Sequence, residues 1–305
     1  MRLLLIVILA VPLGGLALAW SAPEPASRDI PTLLRLAQGF SDEFEGNALK
    51  RHWRTDLRAE ASQRATVAKR TLWNNRERQV YTAPDYLGLG IQPIRLERGV
   101  LTITARALTP GQRAAVMGEL ATLPERQRNS AMRGIAYSSG LISSRGTVSQ
   151  RYGYFEMRAR WSSGKGLWPA FWLLPETGEW PPELDVMEAH GDKPDVVFQS
   201  KHSGLEKAVT KRVKVPGGTG TWHRYGMLWT PRTLVFFVDG RETSRQSTPP
   251  DANVRMYILA NLAVGGAWPG DPDEATRFPA TMDIDWIRTY KLPTDWAESR
   301  MDVLQ

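Results

Sequence analysis

The sequence predicts an all-β protein, a sandwich of short antiparallel strands. In Tyr152–Trp161 apolar and polar side chains alternate with a period of two, which is typical of a strand with one buried face. Asp239-Gly240 separates the apolar run VFFV from RETS, and this dipeptide is a strong signal for a two-residue hairpin. Many short segments of this kind are separated by turn residues, and helical periodicity is almost absent. This combination favours a sandwich.

The chain begins with a segment typical of an export signal. Arg2 precedes an apolar run that reaches about Ala19, and Ala17-Leu18-Ala19 offers a small-x-small cleavage site. The run is near the lower limit for a bilayer span, so an uncleaved membrane anchor is the alternative. We predict a signal peptide and a short Pro-rich linker over residues 1–27, and one folded domain over residues 28–305.

The composition agrees with an exported protein that handles carbohydrate. The 305 residues include 12 Trp, whose faces stack on sugar rings but also serve as ordinary core material. The chain has no cysteine, which excludes disulfides, thiol catalysis and cysteine–zinc sites. The net charge of +7 is dispersed, a pattern typical of solubility alone. We expect a monomer with no nucleic-acid partner and no stable membrane partner.

Two further segments alternate as strands do, Leu101–Ala105 and Met282–Trp286, and the second closes the domain. Between the first of them and the next strand lies Leu108–Gly134, which departs from the β pattern. Thr109 is a suitable N-cap and Pro110 a suitable first helical residue. Apolar residues follow at helical spacing, namely Val116, Met117, Leu120 and Leu123. We therefore predict an insertion that contains a helix, although Gly118 weakens that helix by about 1 kcal/mol.

The segment Glu183-Leu184-Asp185-Val186-Met187-Glu188 holds three carboxylates within six positions. It has the pattern of a strand, in which side chains two apart share a face, so Glu183 and Asp185 point the same way. Glu188 is five positions from Glu183 and would face the opposite side of a regular strand. One extra residue, a β-bulge around Val186–Met187, would return Glu188 to the face of the other two acids.

Three acids on one sheet face repel each other and lose solvation, so a fold places them together chiefly where a function needs them. Hydrolysis of a glycosidic bond is such a function, because it uses a carboxylate and a carboxylic acid close together. An exposed acidic edge or a metal-binding cluster is the alternative. The spacing alone leaves both interpretations open.

Ten strings along the chain, in the same order, carry a resemblance to one family. They are FSDEF (40–44), WNNRERQVYT (73–82), GVLTITA (99–105), YSSGLISSRG (137–146), YGYFEMRARW (152–161), GLWPAFWLLP (166–175), ELDVMEAHG (183–191), WHRYGMLWTPRTLVFFVDG (222–240), NLAVGGAWPG (261–270) and MDIDWIRTY (282–290). By these strings the chain resembles glycoside hydrolase family 16, in the ExDxxE branch found in laminarinases, which are endo-β-1,3-glucanases. The resemblance implies a two-sheet jelly roll whose concave sheet forms an open cleft.

The resemblance also implies a retaining mechanism without a catalytic cofactor. Glu183 corresponds to the nucleophile, Asp185 to the assisting residue and Glu188 to the acid/base. Retaining enzymes hold the two carboxyl groups about 5–5.5 Å apart. The backbones of Glu183 and Glu188 are separated by roughly 13 Å of strand, so their long side chains must lean together. We expect a raised pKa for Glu188 and an ionised Glu183.

Aromatic and polar residues near the acids are candidates for substrate binding. Trp168 and Trp172 are four apart on one strand and therefore share a face, which suits a platform beneath a sugar, whereas Phe171 is expected in the core. By resemblance Trp180 and Trp268 approach the cleft, whereas Trp222 and Trp229 belong to the core. The polar candidates for hydroxyl contacts are Asn75, Glu77, Gln79, Arg145 and His202.

Family members often hold one structural calcium ion on the convex face. The corresponding positions are Glu43, Gly99 and Asp285, which would supply the oxygen ligands that calcium prefers. The alternative is a simple polar cluster on the surface.

The resemblance makes β-1,3-linked or mixed β-1,3-1,4-linked glucan the default substrate. Arg76 stands where many members have a second Asn, and Leu108–Gly134 and Lys201–Lys214 are rich in cations. If these cations lined the cleft, an acidic bacterial exopolysaccharide would be the alternative substrate; otherwise the 108–134 segment is a solvated insertion. Transfer to another sugar instead of water shares the same covalent intermediate. A non-catalytic glycan-binding jelly roll is the alternative of another class, although it would be expected to lack the three acids.

Overall fold

The structure, a computed structural model, describes residues 28–57, 66–122, 125 and 134–304. Seventeen strands in these residues form two sheets that are almost entirely antiparallel and pack face to face, which confirms the predicted sandwich. The predicted signal peptide and linker lie outside the described residues. Within the described ranges, no helix combines the length and the apolar character needed to cross a membrane.

The larger sheet has ten strands in the order β15-β14-β13-β8-β17-β4-β5-β2, with β1 added on β17 and β3 on β4. Numbered along the chain, they are β1 (Ala37–Asp42), β2 (Gln79–Tyr81), β3 (Ile94–Glu97), β4 (Val100–Ala107), β5 (Tyr137–Ser139), β8 (Gly153–Trp161), β13 (His223–Trp229), β14 (Thr233–Val238), β15 (Arg241–Ser247) and β17 (Ala280–Lys291).

The smaller sheet has seven strands in the order β12-β11-β10-β9-β16-β6, with β7 added on β16. They are β6 (Leu141–Ser143), β7 (Ser149–Gln150), β9 (Leu167–Pro175), β10 (Glu183–Glu188), β11 (Val196–His202), β12 (Val209–Lys214) and β16 (Met256–Val264). This second sheet carries the three acids at its centre. We call it the cleft sheet.

The main core lies between the sheets, and the period of two in the sequence decides which side chains enter it. Phe155, Met157 and Trp161 of β8 point into the core, and Phe171 does so from β9, as predicted. Each such side chain contributes about 1.5–3 kcal/mol through burial. Trp229 is also fully buried here.

The core assignment of Trp222 was wrong. Its side chain is partly exposed, and its ring lies 4.9 Å from the guanidinium carbon of Arg158 and 4.7 Å from that of Arg160. The residue directly precedes β13, so the alternation of that strand does not fix its direction. Cation–π contacts with these two arginines stabilise the indole ring at the surface instead.

The outer face of the ten-stranded sheet is covered by the two ends of the described chain. The short helix α1 (Ile30–Leu33) and the 3₁₀-helix Glu298–Leu304 pack on Tyr154, Leu228 and neighbouring apolar residues in a second core. Arg28 Nη1 donates to the Leu304 carbonyl oxygen at 3.0 Å and joins the two segments. The alternation of β8 places Tyr154 outward, but only this tertiary packing explains why it is buried.

The predicted hairpin at Asp239-Gly240 connects β14 to β15. Both residues have positive φ, 51° and 73°, as a type I′ turn requires. A Cβ atom placed on Gly240 would lie 2.0 Å from the Arg28 carbonyl oxygen, so only glycine fits this position.

The predicted helix of the insertion is α2 (Pro110–Leu120), and Thr109 caps it in a capping box with Gln112. Val116 and Leu120 are buried against Val67 and Tyr86 in a separate apolar cluster. The helix is thus anchored to the domain, while Arg113 is exposed. Leu123, Arg126, Arg128 and Arg133 lie outside the described residues.

Asp42, at the end of β1, is a buried carboxylate that ties a loop to the sheet. It accepts hydrogen bonds from Lys50 Nζ (2.6 Å), Trp53 Nε1 (2.8 Å) and the Phe44 backbone N–H (3.0 Å), and His52 Nε2 lies 3.0 Å away. Burial alone would raise the pKa of Asp42, but these partners together hold it below its usual range. Asp42 is therefore an ionised anchor of the loop that follows β1.

We predict that Asp42→Ala lowers the free energy of unfolding by about 3 kcal/mol at pH 7, because it leaves buried donors without an acceptor. A depressed pKa stabilises the fold above the unfolded pKa, and this contribution is lost as pH falls through the folded pKa. The difference between wild type and variant in urea unfolding should therefore shrink towards pH 3. The exposed Asp302→Ala serves as the control, and equal stability of both variants would contradict the prediction.

Candidate active site

Two successive core residues in β10 bring the three acids to one face. Leu184, Val186 and Met187 all point into the main core. The register of β10 shifts between Asp185 and Glu188 against β11, and between Asp185 and Met187 against β9, so the predicted β-bulge is present. Glu183 pairs with His202 and Glu188 with Phe198, four residues apart on β11, and both acids therefore face the cleft.

Glu183 and Glu188 line a cleft of about 770 Å³ in the cleft sheet, and Asp185 is buried beside them. Seven of the nine residues predicted to bind substrate line the cleft, namely Asn75, Arg145, Trp168, Trp172, Trp180, His202 and Trp268. Leu57, Lys69, Phe198 and Tyr257 line it as well. Aromatic walls around convergent polar groups are typical of a carbohydrate site.

Each glutamate has its own indole partner. Trp180 Nε1 donates to Glu183 Oε2 at 3.0 Å, and Trp168 Nε1 donates to Glu188 Oε1 at 2.9 Å. Each carboxyl group is therefore oriented by its own indole donor. Trp180 is otherwise 66% exposed, so this contact lies at the rim.

His202 and Asp185 form the other half of the arrangement around Glu183. His202 Nε2 lies 3.2 Å from Asp185 Oδ2 and 3.7 Å from Glu183 Oε1. The hydrogen bond with Asp185 raises the pKa of His202 above its usual range, which favours a cationic imidazole. Asp185 is almost fully buried between the two and can orient both.

The pKa values of the three acids are raised, chiefly by burial. For Glu188 burial is reinforced by the negative charges of Asp185 and Glu183, and its pKa lies well above the usual range. Burial and the charge of Asp185 raise the pKa of Glu183 to about 8, which runs against the expected ionised form, although His202 and the Trp180 indole favour ionisation. As pH falls, Glu188 is therefore the first to take a proton, as the acid/base assignment requires.

The ligand atoms of Glu183, Asp185 and His202 all lie within 4.8 Å of one another, a geometry that a metal ion also accepts. The protonation of His202 distinguishes the two interpretations. Asp185 raises the pKa of His202 and so favours the imidazolium form, whereas a metal-binding histidine must be neutral. The environment therefore favours a pair of carboxyl groups of unequal protonation over a metal cluster.

A chain of hydrogen bonds through Asn261 to Tyr81 fixes the indole of Trp172. Its Nε1 donates to Asn261 Oδ1 at 2.7 Å, and Asn261 Nδ2 donates to the Tyr81 hydroxyl at 3.0 Å. The indole ring is buried to 7% exposure and forms part of the floor. The prediction that Trp168 and Trp172 share the cleft face is confirmed.

Trp268 closes the cleft near Glu188 through an aromatic cluster. Its ring centroid lies 5.3 Å from that of Trp168, 4.9 Å from Phe198 and 4.1 Å from His190. Burial, together with the charge of Lys193, lowers the pKa of His190 to about 4, so this ring is neutral. Trp268 is 40% exposed and presents apolar surface to a ligand.

Several other predictions need correction. Glu77 and Gln79 are buried below the cleft wall and are not positioned for sugar contacts. The Lys201 ammonium group is buried away from the cleft, where it binds Glu206 Oε1 and the Ser247 hydroxyl. Neither Arg76 nor any residue of α2 is among the described residues that line the cleft. Among the described residues, the cations on its walls are Lys69, Arg145 and His202.

Phe198 and Tyr257 are cleft residues that the sequence reasoning missed. Phe198 and Ser200 stand at two-residue intervals before His202, so the alternation of β11 carries the signal for Phe198. Tyr257 lies on β16, which is buried on both faces and shows no alternation. Its ring is covered by Arg145, whose guanidinium carbon lies 5.4 Å from the ring centroid.

The residues predicted to hold calcium do not fit a site built on two carboxylates. Glu43 binds Arg288 through both carboxylate oxygens, at 2.9 and 2.7 Å. Asp285 Oδ2 accepts from Arg158 Nη1 at 2.6 Å. Gly99 does lie near the Glu43 backbone carbonyl. Both side chains are thus neutralised by arginines, and calcium at Glu43, Gly99 and Asp285 stays a prediction.

Comparison with known proteins identifies relatives of this arrangement. A sequence profile of the glycosyl hydrolases family 16 matches residues 100–288. The chain is 37% identical over 265 residues to the endo-1,3-1,4-beta-glycanase ExsH of Rhizobium meliloti (strain 1021), covering 86% of this chain and 53% of that protein. It is 33% identical over 253 residues to a beta-glucanase of Rhodothermus marinus, and the match covers 74% of this chain and 77% of that protein.

Among solved structures, the laminarinase catalytic domain of Thermotoga maritima MSB8 superposes with a TM-score of 0.66 at 27% identity. The match covers 84% of this chain and 98% of that domain. The chain spans about half the length of its Rhizobium meliloti relatives, 53% of one and 46% of another.

Proposed function

The chain belongs to glycosyl hydrolase family 16, and from this we propose that it is an endo-β-glucanase that cleaves β-1,3- or mixed β-1,3-1,4-linked glucan with retention of configuration. The observation that carries the proposal is the bulge in β10, which places Glu183 and Glu188 on one face with separate indole donors. The relatives named above support the substrate class. All three acids are present, which opposes the alternative of a non-catalytic binding module.

In the first step, ionised Glu183 attacks the anomeric carbon of the sugar bound in the cleft. Protonated Glu188 gives its proton to the glycosidic oxygen, which leaves with the departing chain. A covalent glycosyl–enzyme ester forms at Glu183. The Trp180 indole and cationic His202 hold the nucleophile in its ionised form, while Asp185 fixes the imidazole.

In the second step, Glu188 acts as the base. It removes a proton from a water molecule, which attacks the anomeric carbon and releases Glu183. The Trp168 indole holds the Glu188 carboxyl group in place in both steps. A sugar hydroxyl in place of water would give transfer, which is a separate outcome of the product analysis.

The test is a polysaccharide panel of laminarin, mixed-linkage β-glucan, a β-galactan and an acidic bacterial exopolysaccharide. We expect endo-cleavage of one of the first two, with a β-configured anomeric proton appearing first in the NMR spectrum. An α-anomer as the first product would overturn retention. Activity confined to the acidic polymer would favour the alternative substrate, with Lys69 and Arg145 as the cleft cations to examine.

We predict that His202→Asn moves the acid limb of the kcat/KM profile to higher pH, by about one pH unit. The positive charge of His202 lowers the pKa values of Glu183 and Asp185, so its removal lets both acids take protons at higher pH. The alkaline limb, which reports loss of the Glu188 proton, should move little. The measurement is kcat/KM against pH for both proteins, and an unchanged acid limb would contradict the electrostatic role.

We also propose export, on the basis of the apolar run before Ala19 and its cleavage pattern. Mass spectrometry of the protein from its native envelope or medium should find an N-terminus near Trp20 or Pro23. An intact Met1 in the membrane fraction would instead support an anchor.

A further inference from the structure

The mechanism above leaves one buried acid of the cleft region without a role. Glu77 follows a short 3₁₀-helix (Trp73–Asn75) and directly underlies the cleft wall, with only 6% of its surface exposed. Burial raises its pKa to about 7, although its hydrogen-bond partners act in the opposite direction. Because burial disfavours the charged form of Glu77, the presence of a carboxyl group at this position calls for a functional explanation.

Donors converge on Glu77 from several sides. Asn75 Nδ2 donates to Oε1 at 3.0 Å, and Gln79 Nε2 donates to Oε2 at 2.6 Å. The nearby Leu72 backbone N–H and Tyr81 hydroxyl also favour the ionised form of Glu77 and so lower its pKa against the effect of burial. Above about pH 7 Glu77 is ionised and only accepts hydrogen bonds, so each partner must present a hydrogen to it.

The directions of the neighbouring bonds are fixed independently. Gln79 Oε1 accepts from the Val264 backbone N–H at 2.7 Å, so the Gln79 amide cannot turn over. The Tyr81 hydroxyl accepts from Asn261 Nδ2, so its own hydrogen is left for Glu77. The chain Trp172–Asn261–Tyr81–Glu77 therefore runs in one direction and ends at the carboxylate.

Asn75 reaches the cleft at one end of this network, as Trp172 does at the other. Because its Nδ2 is bound to Glu77, its Oδ1 is the side-chain atom left to meet a ligand. Its backbone is fixed as well, since the Asn75 carbonyl accepts from the Ala267 N–H at 2.8 Å, beside Trp268. The amide is thus set as a hydrogen-bond acceptor on the wall of the cleft.

We propose that Glu77 is a positioning residue for sugar binding: it fixes the Asn75 amide with its oxygen towards a sugar hydroxyl and, through Tyr81 and Asn261, the indole of Trp172. The inference rests on the proposed function, because it describes how the same cleft binds its glucan. Glu77 itself does not touch the substrate. Two chains of hydrogen bonds end at the Glu77 carboxyl group. One leads to Asn75 on the cleft wall and the other to Trp172 on the cleft floor.

The first experiment compares wild type, Glu77→Gln, Asn75→Ala and the double variant on the best glucan from the panel. In Glu77→Gln one carboxylate oxygen is replaced by an NH₂ group. If this group faces Asn75, the Asn75 amide must turn over; if it faces Gln79 and Tyr81, the branch through Tyr81 to Trp172 is broken. We expect KM to rise roughly tenfold with kcat within about twofold, as loss of a binding contact does. The double variant should be no worse than Glu77→Gln alone. The exposed Glu97→Gln is the matched control.

The second experiment uses no substrate, so that failure of the proposed function and failure of this inference are distinguished. In protein labelled with ¹⁵N at tryptophan, Glu77→Gln and Tyr81→Phe should both shift the Trp172 indole N–H signal, assigned with Trp172→Phe. If the wild type cleaves no glucan, the proposed function fails while this signal still tests Glu77. An unshifted Trp172 signal, or an unchanged KM in an active Glu77→Gln protein, would overturn the positioning role. If Glu77→Gln does not fold, the variants Tyr81→Phe and Asn75→Ala, each of which removes one branch, are used in its place.

Discussion

Glu183→Ala is expected to reduce glucan turnover by about 10⁴-fold or more, because it removes the carboxylate that we propose as the nucleophile. The fold should remain intact, with a melting temperature equal to or above that of the wild type. The reason is that Glu183 lies in a buried cluster with Asp185, and removing one of two repelling acids relieves the native state. The measurement is kcat on laminarin or mixed-linkage glucan, alongside thermal unfolding.

Azide provides the specific check on this assignment. The cavity left by the carboxylate admits a small anion, which can attack the anomeric carbon from the same side and yield an α-glycosyl azide. Glu176→Ala, an exposed carboxylate that binds Arg255, is the control and should retain activity. A folded Glu183→Ala protein with near wild-type turnover would contradict the nucleophile assignment.

Glu188→Ala should separate substrates by their leaving groups. On glucan the loss is expected to be about 10²–10⁴-fold, since the departing sugar oxygen needs a proton. On an aryl β-glycoside with a very acidic leaving group the first step should be nearly unaffected, because no proton is required there. The measurement is the ratio of kcat/KM values on the two substrates for variant and wild type.

Loss of the alkaline limb of the pH profile should accompany the loss on glucan. Burial, with the charges of Asp185 and Glu183, raises the pKa of Glu188 well above its usual range, so this group keeps its proton into the alkaline range in the wild type. With alanine at 188 the aryl glycoside should be cleaved without that limb. Equal losses on both substrates would argue against an acid role for Glu188.

The fold was predictable where a local period reports one buried face. The alternation in β4 and β8, the Asp239-Gly240 turn and the Thr109-Pro110 helix start all appear in the structure at the predicted places. Strands buried on both faces gave no such signal, and β16 with Tyr257 was missed for that reason. Trp222 was misplaced because a residue just outside a strand does not share its alternation.

For the site, the sequence indicated which residue types gather, and the bulge followed from the requirement that Glu188 face Glu183. Strand pairing brought in residues far away in the chain, such as His202 opposite Glu183 and Asn261 below Trp172. The lysines and arginines that had suggested an acidic substrate are not among the described residues that line the cleft. Lys201 is buried in an ion pair, and neither Arg76 nor α2 contributes a described residue to the cleft, because chain position does not fix the direction of a side chain.

By itself, the sequence determined the β sandwich, the three acids of β10 and the seven wall residues of the cleft, since alternation and motif strings are local properties of the chain. Tertiary structure alone decided the rest: the unequal protonation of Glu183 and Glu188, the burial of Glu77 below the wall and the covering of Tyr154 by the chain ends. These properties depend on solvation and on charges from distant strands. Burial and Coulomb interactions act through space, and no sequence spacing records those distances.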